Sequence, residues 1–123
     1  MLAKNNQFKF AVIATDIIVF TIKNDELSVL LTQMEKEPFK GFWAVPGGLV
    51  KPSETVDSSA KRILSRILEI EDVYLEQLYT FGEIDRDPSG RVVSVAYFAL
   101  IPHSADQRTN RCTEHRFYDS SSQ

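Results

Sequence analysis

Cysteine is almost missing from this chain. Cys112 is the single one among 123 residues, which excludes an internal disulfide and suits a reducing compartment. Excess basic charge is missing as well: 14 lysines and arginines face 17 acids, for a net charge of -3. Neutralising a phosphate backbone needs a basic surface, so this segment is not expected to grip DNA or RNA by itself. No apolar run is long enough to span a membrane; FAVIATDIIVF is too short and holds Asp16. The amino terminus lacks the pattern of a signal peptide. His103 and His115 lack zinc-ligand spacing relative to Cys112. Internal repeats, low-complexity blocks and linkers are missing too. These absences predict one soluble cytoplasmic domain, residues 1–118, with no membrane partner and a frayed tail, DSSSQ, at 119–123.

What is present reads as alternating strands and one helix. Phe8 to Ile22 is rich in valine, isoleucine, phenylalanine and threonine. The turn signal KNDE separates it from a second apolar run, LSVLLTQM, so a hairpin is predicted. The WAVPGG segment follows the loop EKEPFKGF, and its adjacent glycines Gly47 and Gly48 permit close backbone approach, including amides turned toward a phosphate. Ser53 is the predicted N-cap of a helix reaching about Leu68, with Glu54 in its first turn complementing the dipole. Val56, Ala60, Ile63, Leu64, Ile67 and Leu68 form an apolar stripe roughly 140° wide along it. DVYLEQLYTFG and RVVSVAYFALIP are predicted strands flanking a turn at Pro88 to Gly90, and a short strand is expected at Glu114 to Tyr118.

The stretch from Gly48 to Ile70, GLVKPSETVDSSAKRILSRILEI, resembles the Nudix box, the signature of a family that cleaves nucleoside diphosphate derivatives. Gly48, Glu54, Arg62, Leu64 and Ile70 fall on its spacing. The three later glutamate positions hold Ile63, Arg66 and Ile67 instead, and the later glycine position holds Glu69. Hydrolysis in this family needs hard divalent cations, which want several carboxylate oxygens in fixed geometry. An arginine at such a position repels the ion yet can pair directly with phosphate oxygens. We therefore expect no metal, no cofactor and no catalytic residue by the usual route.

Further segments, ATDIIVFTI, EPFKGFWAVPGG and VYLEQLYTFGEIDRDPSGRVVSVAYFALIP, resemble one branch of that family. It comprises the Nudix-related transcriptional regulators of NAD metabolism and their ADP-ribose pyrophosphatase cousins. The resemblance implies an α/β/α sandwich with a mixed sheet, here without the usual last helix. It also implies a homodimeric, catalytically inactive sensor that binds ADP-ribose, with DNA held only through a winged helix outside this chain. Bare sheet surface left by a missing helix would favour self-association.

The expected ligand-facing residues are Asp16, Trp43, Gly47, Gly48, Arg62, Arg66, Tyr79, Phe81, Arg86 and Arg91. Asp16 interrupts an apolar strand and needs partners if buried. Trp43 reads as a core or rim aromatic. Arg62 in the family braces the catalytic loop, and Arg66 would replace a metal ion against the diphosphate. Tyr79 and Phe81, two apart on a strand, share a face on which an adenine can stack or the sheet can pack. Arg86 and Arg91 flank the turn and would meet ribose or phosphate. The rival reading is a metal-dependent Nudix hydrolase of the ADP-ribose pyrophosphatase type, recruiting Glu69, Glu71, Glu83 or Asp85 as ligands.

Overall fold

The computed structural model describes residues 10–68, 73–84, 90–102 and 115–119. In chain order they form β1 (Val12–Lys23), β2 (Glu26–Gln33), β3 (Trp43–Ala44), β4 (Gly47–Leu49), α1 (Val56–Ile67), β5 (Leu75–Phe81), β6 (Val92–Ile101) and β7 (His115–Asp119). The expected hairpin is present. Asn24 and Asp25 make its two-residue turn with φ of 52° and 63°, the left-handed region that short polar side chains tolerate best after glycine.

All seven strands belong to one mixed sheet. β1 runs parallel to β6 from Val12 opposite Val92 to Thr21 opposite Ile101, and every other pairing is antiparallel. Strand alternation then fixes what each face carries. Ile17 and Val19 of β1, Leu30 of β2, and Val95, Tyr97, Ala99 and Ile101 of β6 point toward α1. There they form one core with Ala60, Ile63, Leu64, Ile67 and Leu68. The helical stripe read from the sequence is therefore the packed face. The hydroxyls buried with it are bonded: Thr15 Oγ1 lies 3.0 Å from Ser59 Oγ, and Thr21 Oγ1 donates to the Ile101 carbonyl at 3.0 Å.

Two details depart from the expected helix start. The N-cap is Thr55, not Ser53: its hydroxyl accepts from the Ser58 amide at 3.0 Å, while Ser58 Oγ accepts from the Thr55 amide at 2.9 Å. This reciprocal pair satisfies two amides that a helix start leaves open. Glu54 consequently precedes the helix and is not in its first turn, where Asp57 takes the acidic role.

The hairpin also opens into a fork. Val29 pairs with Phe20 on one side and Tyr118 on the other, whereas Thr32 pairs with Ala44 and His115. A strand residue has one partner on each edge, so β3 lies on the same edge of β2 as β1. By the same logic β4 lies on the edge of β1 that also carries β2. The segment Trp43–Leu49 thus fills the wedge where β1 and β2 part, and the Ile17 amide donates to the Pro46 carbonyl at 2.9 Å to hold it there.

Candidate functional site

Strand β4 connects the two halves of the candidate site because its alternation serves both faces of the sheet. Gly47 stands opposite Asp16, on the face away from α1. A Cβ on Gly47 would meet Asp16 Oδ1 at 2.1 Å and the Thr15 carbonyl at 2.9 Å, so this approach admits glycine alone. Gly48 turns the other way, and a Cβ there would lie 3.5 Å from Ile63 Cδ1.

On the face away from α1, half-buried Asp16 accepts a hydrogen bond from the buried Ser94 hydroxyl. Ser94 escaped the sequence reading, although it interrupts the apolar run VVSVAYFAL much as Asp16 interrupts its own strand. Phe81 pairs with Ser94, Tyr79 with Ala96, and Asp16 with Ala96 across the parallel ladder. Directly opposed residues share a face. Asp16, Ser94, Tyr79 and Phe81 therefore stand on one surface, with the two aromatic rings edge to face at a centroid distance of 4.9 Å. Both aromatics are exposed, as the stacking expectation requires. A slip in register between Gln77 and Tyr79 marks a bulge; it turns Tyr79 away from the core that Leu75 still touches.

On the helical side, Glu54 and Arg62 form a two-pronged ion pair. Arg62 Nε donates to Glu54 Oε2, Nη2 donates to Oε1 at 3.0 Å, and Nη2 also reaches the Leu49 carbonyl at 3.1 Å. The Lys51 amide donates to Glu54 Oε1 at 2.9 Å. The guanidinium first, and that amide second, hold the Glu54 carboxyl down at about 2 against the opposing effect of desolvation. The same bond raises Arg62. Together these bonds tie the loop between β4 and α1 to the helix.

Of the positions where the box would place later glutamates, Ile63 and Ile67 are buried in the core and Arg66 is exposed in the last turn of α1. Hydrocarbon of Ile63 thus lies beside Gly48. Among the described residues no group of three His, Cys, Asp or Glu is placed to hold a metal ion. Glu83 is exposed, and Glu69, Glu71, Asp85 and Arg86 lie outside the described residues.

Trp43 is half-buried in β3, opposite Gln33. Arg91 donates from Nη1 to the Glu83 carbonyl at 3.2 Å, which ties together the two ends of the β5–β6 connection. Nothing in the residue pattern announces the link between Tyr97 and Asp57. The buried tyrosine hydroxyl donates to the Asp57 carboxylate in the first turn of α1. Burial, then that carboxylate, push Tyr97 up to about 12.

The described residues include no helix long and apolar enough to cross a membrane. A family model described as the NUDIX domain matches residues 12–119. The chain is similar to an ADPR responsive transcriptional repressor of Acinetobacter baylyi, at 33% identity over 91% of this chain and 46% of the repressor. It is also 29% identical to an ADP-ribose pyrophosphatase of Methanocaldococcus jannaschii, over 74% of this chain and 54% of that enzyme. The chain therefore spans about half the length of these relatives. A solved NUDIX domain of Shewanella oneidensis NrtR, complexed with ADP ribose, superposes with a TM-score of 0.78 at 30% identity, over 98% of this chain and 81% of that domain.

Proposed function

The chain belongs to the Nudix family, and on that premise we propose that it binds ADP-ribose or a closely related NAD-derived nucleotide as an effector without hydrolysing it, as the sensor part of a transcriptional regulator of NAD metabolism. One observation carries this reading. The Glu54–Arg62 brace that shapes the diphosphate-facing loop is kept, while Ile63, buried at 3% exposure beside Gly48, replaces a carboxylate that would bind metal. The frame for ligand remains; the means of polarising a phosphoanhydride does not.

In this reading the adenine stacks on Tyr79 and Phe81, and Asp16, held by Ser94, accepts from ribose hydroxyls. The diphosphate meets the amides of the Gly47–Gly48 turn and the exposed Arg66 guanidinium, which neutralises charge with no cation present. Trp43, Arg86 and Arg91 border the same region in sequence-based expectation. The S. oneidensis domain holds ADP ribose and the A. baylyi relative is a repressor responsive to it; both support the choice of ligand. DNA would be contacted by a separate winged-helix domain.

Calorimetric titration with ADP-ribose in EDTA tests the reading: saturable heat is expected, and no heat at high micromolar ligand overturns it. The relative from M. jannaschii keeps a hydrolase as the alternative. AMP release from ADP-ribose with magnesium or manganese, abolished by Glu69→Gln, would establish that alternative instead.

A further inference from the structure

We infer that Asp16 makes the site selective for a nucleotide whose adenosine ribose carries a free 2′-hydroxyl, and turns away the same nucleotide bearing a 2′-phosphate. This rests on the ligand reading given above and adds to it the residue that tells two pools of nicotinamide-derived nucleotide apart.

The sheet register builds a trough on the face away from α1. Asp16, Ala96 and Tyr79 stand in one row across three strands, and Ala14, Ser94 and Phe81 in the next. Between the carboxylate and the aromatic pair there are thus only the small side chains of Ala14, Ser94 and Ala96, all buried. They make a low floor between two higher walls. Two strand spacings, about 9–10 Å, separate the walls, which is room for one nucleoside. With its base on Tyr79 and Phe81, the nucleoside turns its sugar across the floor toward Asp16. The 2′-hydroxyl sits on the sugar carbon next to the one that carries the base, so it is the hydroxyl this arrangement brings to the carboxylate.

The carboxylate is fixed at both oxygens. Oδ2 accepts from Ser94, whose own 1% exposure leaves its hydroxyl little freedom to turn elsewhere. Oδ1 lies so near the Gly47 backbone that a Cβ there would stand 2.1 Å from it. That oxygen receives no donor from the described residues, among which no buried side-chain oxygen lacks a partner, so Oδ1 reaches solvent as an open acceptor. Nor is the charge compensated: among the described residues the ion pair is Glu54 with Arg62, on the helical side. An ionised carboxylate only accepts hydrogen bonds. It favours a hydroxyl and sets like charge against a phosphate, which is selection by repulsion as well as by contact. An acid plays the same part toward the ribose 2′-hydroxyl in dinucleotide-binding sheets of another fold, where an arginine accommodates the 2′-phosphate instead.

The test is calorimetric titration in EDTA with three probes: ADP-ribose, its 2′-phosphate, and its 2′-deoxyadenosine form. The 2′-phosphate is expected to bind on the order of 100-fold more weakly than ADP-ribose, as like charges brought together at an interface do. The deoxy form, which loses a hydrogen bond to a charged group, should bind about 10-fold more weakly. Asp16→Asn keeps an acceptor oxygen and removes the charge, so it should narrow the gap between ADP-ribose and the 2′-phosphate to under about 10-fold. Should Asp16→Asn unfold the chain by circular dichroism, a salt series on the native chain decides: the gap should narrow as sodium chloride rises, because screening weakens the repulsion. Equal binding of ADP-ribose and either analogue, or a gap that neither Asp16→Asn nor salt narrows, overturns the inference and leaves the effector reading standing. No heat with any of the three probes overturns both.

Discussion

At position 47 a single methyl group would decide whether β4 can lie against β1. The Thr15 carbonyl, 2.9 Å from where an alanine methyl would sit, belongs to the central ladder and cannot yield as a side-chain tip can. Gly47→Ala is expected to cost about 1–3 kcal/mol in urea unfolding, as overpacking does elsewhere, and to displace Asp16 as well. Gly48→Ala meets Ile63 Cδ1 at an ordinary 3.5 Å and should cost much less. Glu54 gives a second prediction, in pH. Its carboxyl is held below 4.5, at about 2. A depressed acid contributes its stability above the unfolded value and loses it as pH falls toward the folded one. The stability difference between the native chain and Glu54→Gln should therefore be steady above pH 4.5 and shrink toward pH 2. A difference unchanged across that window would remove the ion pair as its cause.

The elements carry the next prediction, because the start of α1 rests on Thr55 and Ser58. Thr55→Ala should lower stability by about 1 kcal/mol, whereas Ser53→Ala, earlier in the loop, should stay within about 0.5 kcal/mol; chemical denaturation of both variants distinguishes them. The longer strands β1, β2, β5 and β6 were legible from their β-branched and aromatic content and the turn signals between them, whereas β3 and β4 were not, because the glycines and proline of WAVPGG read as a loop. The helix was legible from its stripe. Its first residue was not, because Ser53 and Thr55 are both good caps. What separates them is the Arg62 side chain, which draws Glu54 out of the first turn by a bond between residues eight apart. Local propensity cannot register that bond. The bulge in β5 was equally hidden: it depends on which residue of β6 each residue of β5 meets.

At the scale of the molecule, the family and the mixed α/β sheet followed from the motif spacing. The assembly of the site did not. Asp16 was a legible candidate because a carboxylate in an apolar strand needs a partner; that the partner is Ser94, from a strand 78 residues later, is set by the parallel register of β1 on β6. The fork that seats Trp43–Leu49 is also a product of three strands meeting, which no single segment announces. Arg66 stands where the motif places it, and its exposure leaves it available for the anionic contact proposed above.

The parallel ladder of β1 and β6 has a consequence for the order of events when the chain is made. Thr21 waits for Ile101, 80 residues away, and contacts of such separation slow folding because a long loop must close before they repay it. During synthesis the β1–β2 hairpin emerges first with Ile17, Val19 and Leu30 unsheltered. It acquires its full cover only once β6 has left the ribosome. Chaperone dependence should therefore be greatest for nascent chains stalled short of residue 101.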